Sequence, residues 1–560
     1  MGSLKTEKVR KLMARLSKKQ FVKFALCFAV STFAAWAQTD PGPRPVGAQS
    51  ATFAGPTSGG VALLPTPVVD TRQPPDTNGN EGAGRVLANA GGFGPFWART
   101  GAKFGQLASV NGAVDPSSNN PTLLGLGPGF NGNSCFMCHS QPAIGGTSPG
   151  VGTPGFTQNP EIIVATAFGA ANPENLSAFI TPNGPIREAR YILNENDPSR
   201  LTLDGGVHPL FSIQGRSDAP GGCVLAQPDL TTQFANKNVI FRIPTPTFGL
   251  GLVENVQDSD LVNNAAQEHT LNSTVQNGVL NRNGNDGTVT RFGWKAQNKS
   301  LLLFAGEASN VEMGVTNEIF QNERVPGSGC TGNTLPEDTV HTTFPTGDTA
   351  ADTDVFVSSD IENFAIFMRI NGAPAQCDFA SGVDGSGNAL CNPLSASAQA
   401  GLTVFNNIGC NVCHTQSFTT QPSEVAGLSN RTFQPFSDFA LHHMGSNLAD
   451  GVTQGGAGPD QFRTAPLWGL GQRLFFMHDG RATNLVQAIQ AHSSNPRACV
   501  AAAATAAFTV TFPLQGNATG LFTPSSASLF CGSEANGVIS AFNALNSTDA
   551  QNLLNFLRSL

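Results

Sequence analysis

The chain has 560 residues, more than one hydrophobic core usually organises, so two or three packed units are expected. Forty per cent of the residues are apolar and 12% charged, with 62 glycines, 37 prolines, 39 phenylalanines and one tyrosine, which describes a loop-rich globular protein. The formal charge is −8; setting aside a basic N-terminal segment leaves 23 basic residues against 38 acidic ones, a balance of −15 that disfavours nucleic acid and anionic membranes and suits a small, basic protein partner.

Residues 1–37 read as a secretory signal. Lys5, Lys8, Arg10, Lys11, Arg15, Lys18, Lys19 and Lys23 form a basic region, residues 24–34 a short apolar run, and Ala35-Trp36-Ala37 a small-x-small cleavage site, so cleavage is expected after Ala37 and the mature chain in the periplasm or outside the cell. The apolar run falls short of the roughly 20 residues a membrane span needs, and no later segment is long and apolar enough either. Of 11 cysteines, Cys27 leaves with the signal and four lie in two C-x-x-C-H motifs. The remaining six, Cys223, Cys330, Cys377, Cys391, Cys499 and Cys531, suggest three disulfides in an oxidising compartment. Six thiols allow about 15 pairings; closeness in sequence favours Cys377–Cys391 and Cys499–Cys531, and elimination Cys223–Cys330.

Residues 38–85, rich in Pro, Gly, Thr and Asn, read as an extended leader. A first domain is expected over 86–392, with Cys135-Phe136-Met137-Cys138-His139 near its start and short strands and loops from about 150 to 390. A second is expected over 393–560, around Cys410-Asn411-Val412-Cys413-His414. Leu402, Phe405 and Ile408 lie at helical spacing before Cys410. At the C-terminus Thr548-Asp549-Ala550-Gln551 reads as a capping box that leads into Leu553, Leu554, Phe556, Leu557 and Leu560 on one face. The expected fold is mainly α with extensive loops and short strands, built from two class I cytochrome c-like haem domains.

C-x-x-C-H has a direct chemical reading. Two thiols form thioethers with the haem vinyl groups, and the adjacent His is the proximal iron ligand, so two covalently bound haem c groups are expected at Cys135, Cys138 and His139 and at Cys410, Cys413 and His414. A zinc or thioredoxin-like site is the alternative, disfavoured by export and by the His directly after each second Cys. Seven further histidines, His208, His269, His341, His442, His443, His478 and His492, are candidates for a sixth ligand.

Around the two motifs the chain resembles the bacterial di-haem cytochrome c peroxidases and, more closely, the di-haem oxidoreductases labelled peroxidases or thiol oxidoreductases. The resemblance covers most of the chain after about residue 90. It rests on Gly125-Leu126-Gly127-Pro128-Gly129-Phe130-Asn131, Arg291-Phe292-Gly293-Trp294-Lys295-Ala296, Glu312-Met313-Gly314-Val315-Thr316-Asn317, Leu441-His442-His443-Met444-Gly445, Phe462-Arg463-Thr464-Ala465-Pro466-Leu467 and Met477-His478-Asp479-Gly480-Arg481, in that order. It implies that Trp294 lies between the haems and that Glu312 is the distal carboxylate that moves the peroxide proton. It implies too that His492 stands where the peroxidases place the methionine ligand of the electron-transfer haem, with His478 as the rival and the His442, His443, Met444 run as a further candidate. Thr464 and Pro466 match carbonyls that hold a calcium.

The departures from this pattern carry information as well. No histidine lies between His139 and His208, where the peroxidases carry a loop His that closes the iron, so the first haem is expected to be open or closed by a distant residue. Leu303 and Phe304 fill the stretch that holds the glutamine partner of the catalytic Glu, and Tyr191 is far from the position of the Tyr ligand in the methylamine dehydrogenase-maturing enzymes. The function expected is an exported di-haem oxidoreductase that passes electrons from the C-terminal to the N-terminal haem and reduces a peroxide or other small oxidant. A non-enzymatic electron carrier, or a di-haem oxygenase or thiol oxidoreductase, is the alternative.

Overall fold

The computed structural model describes Asp40, residues 100–108, 126–167, 176–212, 227–322, 359–373, 394–494 and 532–560 with short gaps. To these are added Leu225, Arg324, Asp338, Gln376 and the backbone of hairpin strands at 51–53, 65–66, 508–512 and 518–522. The signal, most of the leader and all six cysteines of the expected disulfides lie outside the described residues. Helices and short antiparallel strands alternate, with loops between them, so the fold is mixed. Among the described residues no helix is long and apolar enough to cross a membrane.

The first cysteine motif sits on a one-turn helix, Cys135–Cys138, capped by Ser134, whose hydroxyl accepts the Met137 N–H at 3.1 Å. Just before it, the strand Gly129–Phe130 pairs with Phe211–Ser212. A three-stranded sheet, Val207–His208, Glu188–Tyr191 and Val239–Arg242, closes the same side. Phe130, Met137, Tyr191, Phe211, Phe241 and Met313 are buried together between these strands and the motif.

Six helices fall in the stretch expected as loops and strands among the described residues, and the two longest build the core. Leu301–Met313 is capped by Ser300, and Asp360–Ile370 by Ser359 with Asp360 and Glu362 in its first turn and Arg369 in its last. The first escapes apolar periodicity because its buried face carries Gly306, Ser309 and Asn310 beside Leu301, Ala305 and Met313. The second buries Ile361, Phe364, Ala365, Phe367, Met368 and Ile370 on more than one side, which blurs the 3.6-residue period. Phe364 and Phe367 share a core with Phe104 and, from beyond residue 393, with Phe418, Phe433, Phe439 and Trp468, so packing runs across the expected boundary.

The second motif follows the expected helix. Ala396–Asn407 buries Val404 and Phe405, stops at Ile408, and turns through Gly409 (φ 92°) into a 3-10 turn at Cys410–Val412. It crosses the C-terminal helix Ser547–Ser559 at Gly401, where a Cβ would stand 2.0 Å from the Asn552 carbonyl oxygen, so only glycine permits the approach. Leu553, Leu554, Phe556 and Leu557 are buried there, at about 1.5–3 kcal/mol each. The cap is Asn546 rather than Thr548: its side chain accepts the Asp549 N–H at 2.9 Å and donates to the Asp549 carboxylate at 2.7 Å. Asn caps at least as well as Thr, so the helix starts earlier than the capping-box reading places it.

Candidate functional site

Two cavities flank Trp294, which lines both. The first, about 820 Å³, holds Cys138, His139, Glu312 and Asn131 together with Glu161, Glu188, Arg187, Arg190 and Arg242. The second, about 1390 Å³, holds Cys410, Cys413, His414, His478, His492 and Arg473 within a wall of Phe, Leu, Ile and Val side chains.

Backbone contact brings Glu312 to the first cavity. The Leu301–Met313 helix ends at Gly314 (φ 70°), and a Cβ on Gly127 would lie 2.1 Å from the Gly314 carbonyl oxygen. Gly127 N–H donates to Met313 O at 2.9 Å and Asn131 N–H to Glu312 O at 2.7 Å, so the glycine-rich run before the first motif docks on the helix end that carries the carboxylate. Asn131 fixes the side chain as well: its Nδ2 donates to Glu312 Oε2 at 2.7 Å while its Oδ1 accepts the Leu210 N–H at 2.7 Å. Burial, and then the charge of Glu188, push the Glu312 carboxyl up to about 8. Burial also raises Glu161, to about 7. Glu188 goes the other way: burial pushes it up, but the Arg190 and Arg242 guanidiniums more than offset this and hold it below the usual carboxylate range. Arg190 Nε stands 2.6 Å from Glu188 Oε1.

The histidines differ in how they are held. His139 Nδ1 meets the Gly146 carbonyl at 2.9 Å, His414 Nδ1 the Phe436 carbonyl at 2.8 Å and His492 Nδ1 the Ala488 carbonyl at 2.7 Å. A backbone carbonyl on one ring nitrogen orients the other for a metal. His478 has no such carbonyl among the described residues; its ring stacks on Phe462 at 4.3 Å and meets Trp294 edge-on at 6.4 Å. His442 is held between Asp438 and Glu534, at 2.8 Å from each, and His443 lies 3.0 Å from Asp460. Both nitrogens of His442 are thereby engaged, and its pKa is raised although burial alone would lower it, the Asp438 carboxylate at 2.8 Å favouring the cation. His208 stacks on Tyr191 at 3.6 Å and lines neither cavity.

Trp294 is fixed from both sides. Its Nε1–H donates to Ile243 O at 2.7 Å and its own carbonyl accepts the Arg463 N–H at 2.9 Å. Beneath it Asp450 meets Lys295 at 3.2 Å and Arg242 Nε at 3.1 Å, all three buried. The Thr464 carbonyl accepts the Ser437 hydroxyl at 2.6 Å, and Pro466 is buried beside it. Among the described residues no three His, Cys, Asp or Glu side chains cluster as a metal site.

These residues fit haem. Neither Cys135 and Cys138 nor Cys410 and Cys413 are joined as disulfides, and His139 and His414 are oriented through Nδ1. Arg473 supplies the decisive feature of the second cavity. It is 6% exposed, faces the apolar wall, and its guanidinium has no hydrogen-bond or ion-pair partner among the described residues. A buried cation in an apolar slot matches a flat hydrophobic group that carries carboxylates.

The family described as "di-haem oxidoreductase, putative peroxidase" matches residues 196–510, more than half of the chain. The chain belongs to this family. Among curated proteins, none matches it. The matched stretch of this di-haem oxidoreductase holds Trp294, Glu312, the second cysteine motif and His492; the first motif precedes it. Family membership brings two haems. Sequence reasoning brought Trp294, Glu312, His139, His414 and His492 to the cavities but missed Glu188, Asn131 and Arg473. It also missed Gln297, whose buried Oε1 has no hydrogen-bond partner among the described residues and which lines the first cavity together with Phe304. Asn131 ends a quoted motif and could have been found there; the others carry no signal in spacing.

Proposed function

We propose that this di-haem oxidoreductase is an exported c-type cytochrome of two class I-like haem domains. In this reading it takes electrons at the His414 cavity from a small, basic redox protein and reduces a peroxide at the His139 cavity. Haem supplies a redox-active iron at each cavity, held by thioethers at Cys135 and Cys138 and at Cys410 and Cys413 and by His139 and His414.

One observation carries the reading: His139, Glu312 and Trp294 line a single cavity, and Trp294 lines the other cavity too. Glu312 helps move the peroxide proton from the oxygen that stays to the oxygen that departs, a transfer that needs a carboxyl able to exchange a proton near neutral pH. The raised Glu312 carboxyl supports that role. Trp294 stands where an aromatic ring shortens the gap an electron must cross. His492 is the better second ligand at the His414 cavity, since Ala488 orients its ring and His478 has no comparable partner among the described residues. Calcium at Thr464 and Pro466 remains part of this reading, with one Thr464 lone pair already used by Ser437.

A pure electron carrier would close both irons with protein ligands. The described residues that line the His139 cavity include neither a second histidine nor a methionine, which favours an open site. The arginines and glutamates there also favour a small polar oxidant over an apolar polymer. The test is paramagnetic resonance on the holoprotein: a high-spin ferric signal quenched by cyanide is expected, and two low-spin haems in every redox state would overturn the proposal. Glu312→Gln should slow peroxide turnover by about 10²–10⁴-fold, and unchanged turnover would remove the role assigned to it.

A further inference from the structure

We propose that Glu188 is the second half of the proton-handling site: Glu188 and Glu312 share a single proton between their carboxyl groups on the wall of the His139 cavity. The purpose of the pair rests on the peroxidase reading; its chemistry does not.

The two side chains reach the cavity from different elements, Glu188 from the central strand of the three-stranded sheet and Glu312 from the end of the Leu301–Met313 helix; both line its wall, and their carboxyls lie within interaction range of each other. Each is already committed on one oxygen. Arg190 Nε donates to Glu188 Oε1, and Asn131 Nδ2 donates to Glu312 Oε2. The Asn131 amide cannot be reversed to accept a proton from Glu312, because its Oδ1 takes the Leu210 N–H. Two carboxylates have no donor between them, so a hydrogen bond between them requires one proton. A buried pair of carboxyls ionises stepwise, and like charge keeps the second proton from leaving easily. Other groups that face the pair are the Arg242 and Arg324 guanidiniums and the carboxyls of Glu161 and Glu307. The arginine side favours placing the charge on Glu188 and the proton on Glu312.

A pair with one proton and one free carboxylate can serve both ends of a peroxide. The carboxylate accepts the proton of the oxygen that stays, and the neutral carboxyl gives its proton to the oxygen that leaves as water when the O–O bond breaks. The pair ends with the one proton it began with. The second water takes two protons from solvent and two electrons from the reduced donor protein, so atoms and charge balance.

The experiment is infrared spectroscopy of the holoprotein from about pH 5 to 10, following the buried neutral carboxyl, with peroxide turnover measured in parallel. Glu161→Gln identifies the band of the third buried carboxyl. In Glu312→Gln the remaining neutral-carboxyl band should vanish at neutral pH. In Glu188→Gln it should persist but titrate about one unit or more lower, because the like charge is gone. Glu188→Asp, which draws the carboxyl back, should shift it in the same direction and serves if the glutamine variant does not fold. An unshifted midpoint in a folded Glu188 variant overturns the shared proton and leaves the peroxidase reading standing. A shifted midpoint in a protein that turns over no peroxide supports the shared proton and sinks the peroxidase reading.

Discussion

The two cavities that meet at Trp294 differ in where their charge lies. The His139 cavity sets four glutamates and three arginines among apolar side chains and carries one histidine, whereas the His414 cavity is mostly aliphatic and phenyl, with Arg463, Arg473 and Glu534 as its charged groups, and carries His414, His442, His478 and His492. A buried charged wall is costly unless every charge is matched, and here the matching is nearly complete: Arg190 on Glu188, Arg242 on Asp450, Asn131 on Glu312. Such a wall is suited to moving protons onto a small polar molecule. The more apolar wall suits a flat hydrophobic group. The contrast teaches that what distinguishes the two cavities lies in their lining, since both pentapeptides share the same C-x-x-C-H pattern.

The strongest way to break the comparison is to remove what separates the cavities. Asp450 neutralises both Arg242 on the first cavity and Lys295 next to Trp294, and Lys295 is 0% exposed. Burial lowers the Lys295 pKa to about 8 even with Asp450 beside it. Asp450→Ala leaves two buried cations without their carboxylate, so a loss of about 3–5 kcal/mol is expected in denaturant unfolding of the holoprotein, with both haem spectra disturbed. A loss under about 1 kcal/mol would mean that the triad does not hold the two halves together.

A second change should reach only the apolar side. Asp40, the first described residue, meets Arg558 through both carboxylate oxygens at 2.7 Å and accepts the Leu485 N–H at 2.6 Å. Arg558 is fully buried in the C-terminal helix, and the Leu485–Ala491 helix leads directly to His492. Asp40→Asn should cost about 2–3 kcal/mol and perturb the low-spin haem, while cyanide binding at the His139 cavity keeps its affinity. Perturbation of both sites alike would erase the distinction.

The third change is pH. Peroxide turnover needs the proton that burial and Glu188 hold on Glu312 up to about pH 8, so the rate should fall about tenfold per unit above that value. Reduction by the donor at the His414 cavity should stay flat over the same range. A rate that rises through pH 9 would place the proton elsewhere.

How much of this was legible in the sequence follows the same division. The apolar half was readable because it is local: Leu402, Phe405 and Ile408 lead into Cys410 at helical spacing, and Leu553 to Leu560 form one stripe. The charged half depends on contacts between distant residues. Asn131 and Glu312 are 181 positions apart, and Glu188 reaches Glu312 only because a strand and a helix end converge. No periodicity marks such a pair. The Leu301–Met313 helix that delivers Glu312 hides because its buried face mixes polar and small residues with apolar ones. Even on the legible side the start of the C-terminal helix depended on which of Asn546 and Thr548 capped it, a choice between two residue types of similar capping strength.

The smallest test compares two helix caps, one for each cavity. Asn484 accepts the Gln487 N–H at 2.9 Å at the start of the helix that ends at His492, and Ser300 accepts the Leu303 N–H at 3.1 Å at the start of the helix that ends at Glu312. Replacing either by Ala strands one amide donor and should cost about 1 kcal/mol. The positional consequences should differ. The Leu485–Ala491 helix has seven residues, so fraying at its start reaches His492 within two turns; Asn484→Ala should therefore loosen the low-spin haem signal and leave peroxide turnover nearly intact. The Leu301–Met313 helix has 13 residues, and its far end is pinned to the Gly127–Asn131 run by backbone hydrogen bonds. Ser300→Ala should accordingly lower stability by the same amount without moving the Glu312 titration. If it does move that titration, the carboxyl is positioned by the helix as a whole rather than by its docking on the glycine-rich run.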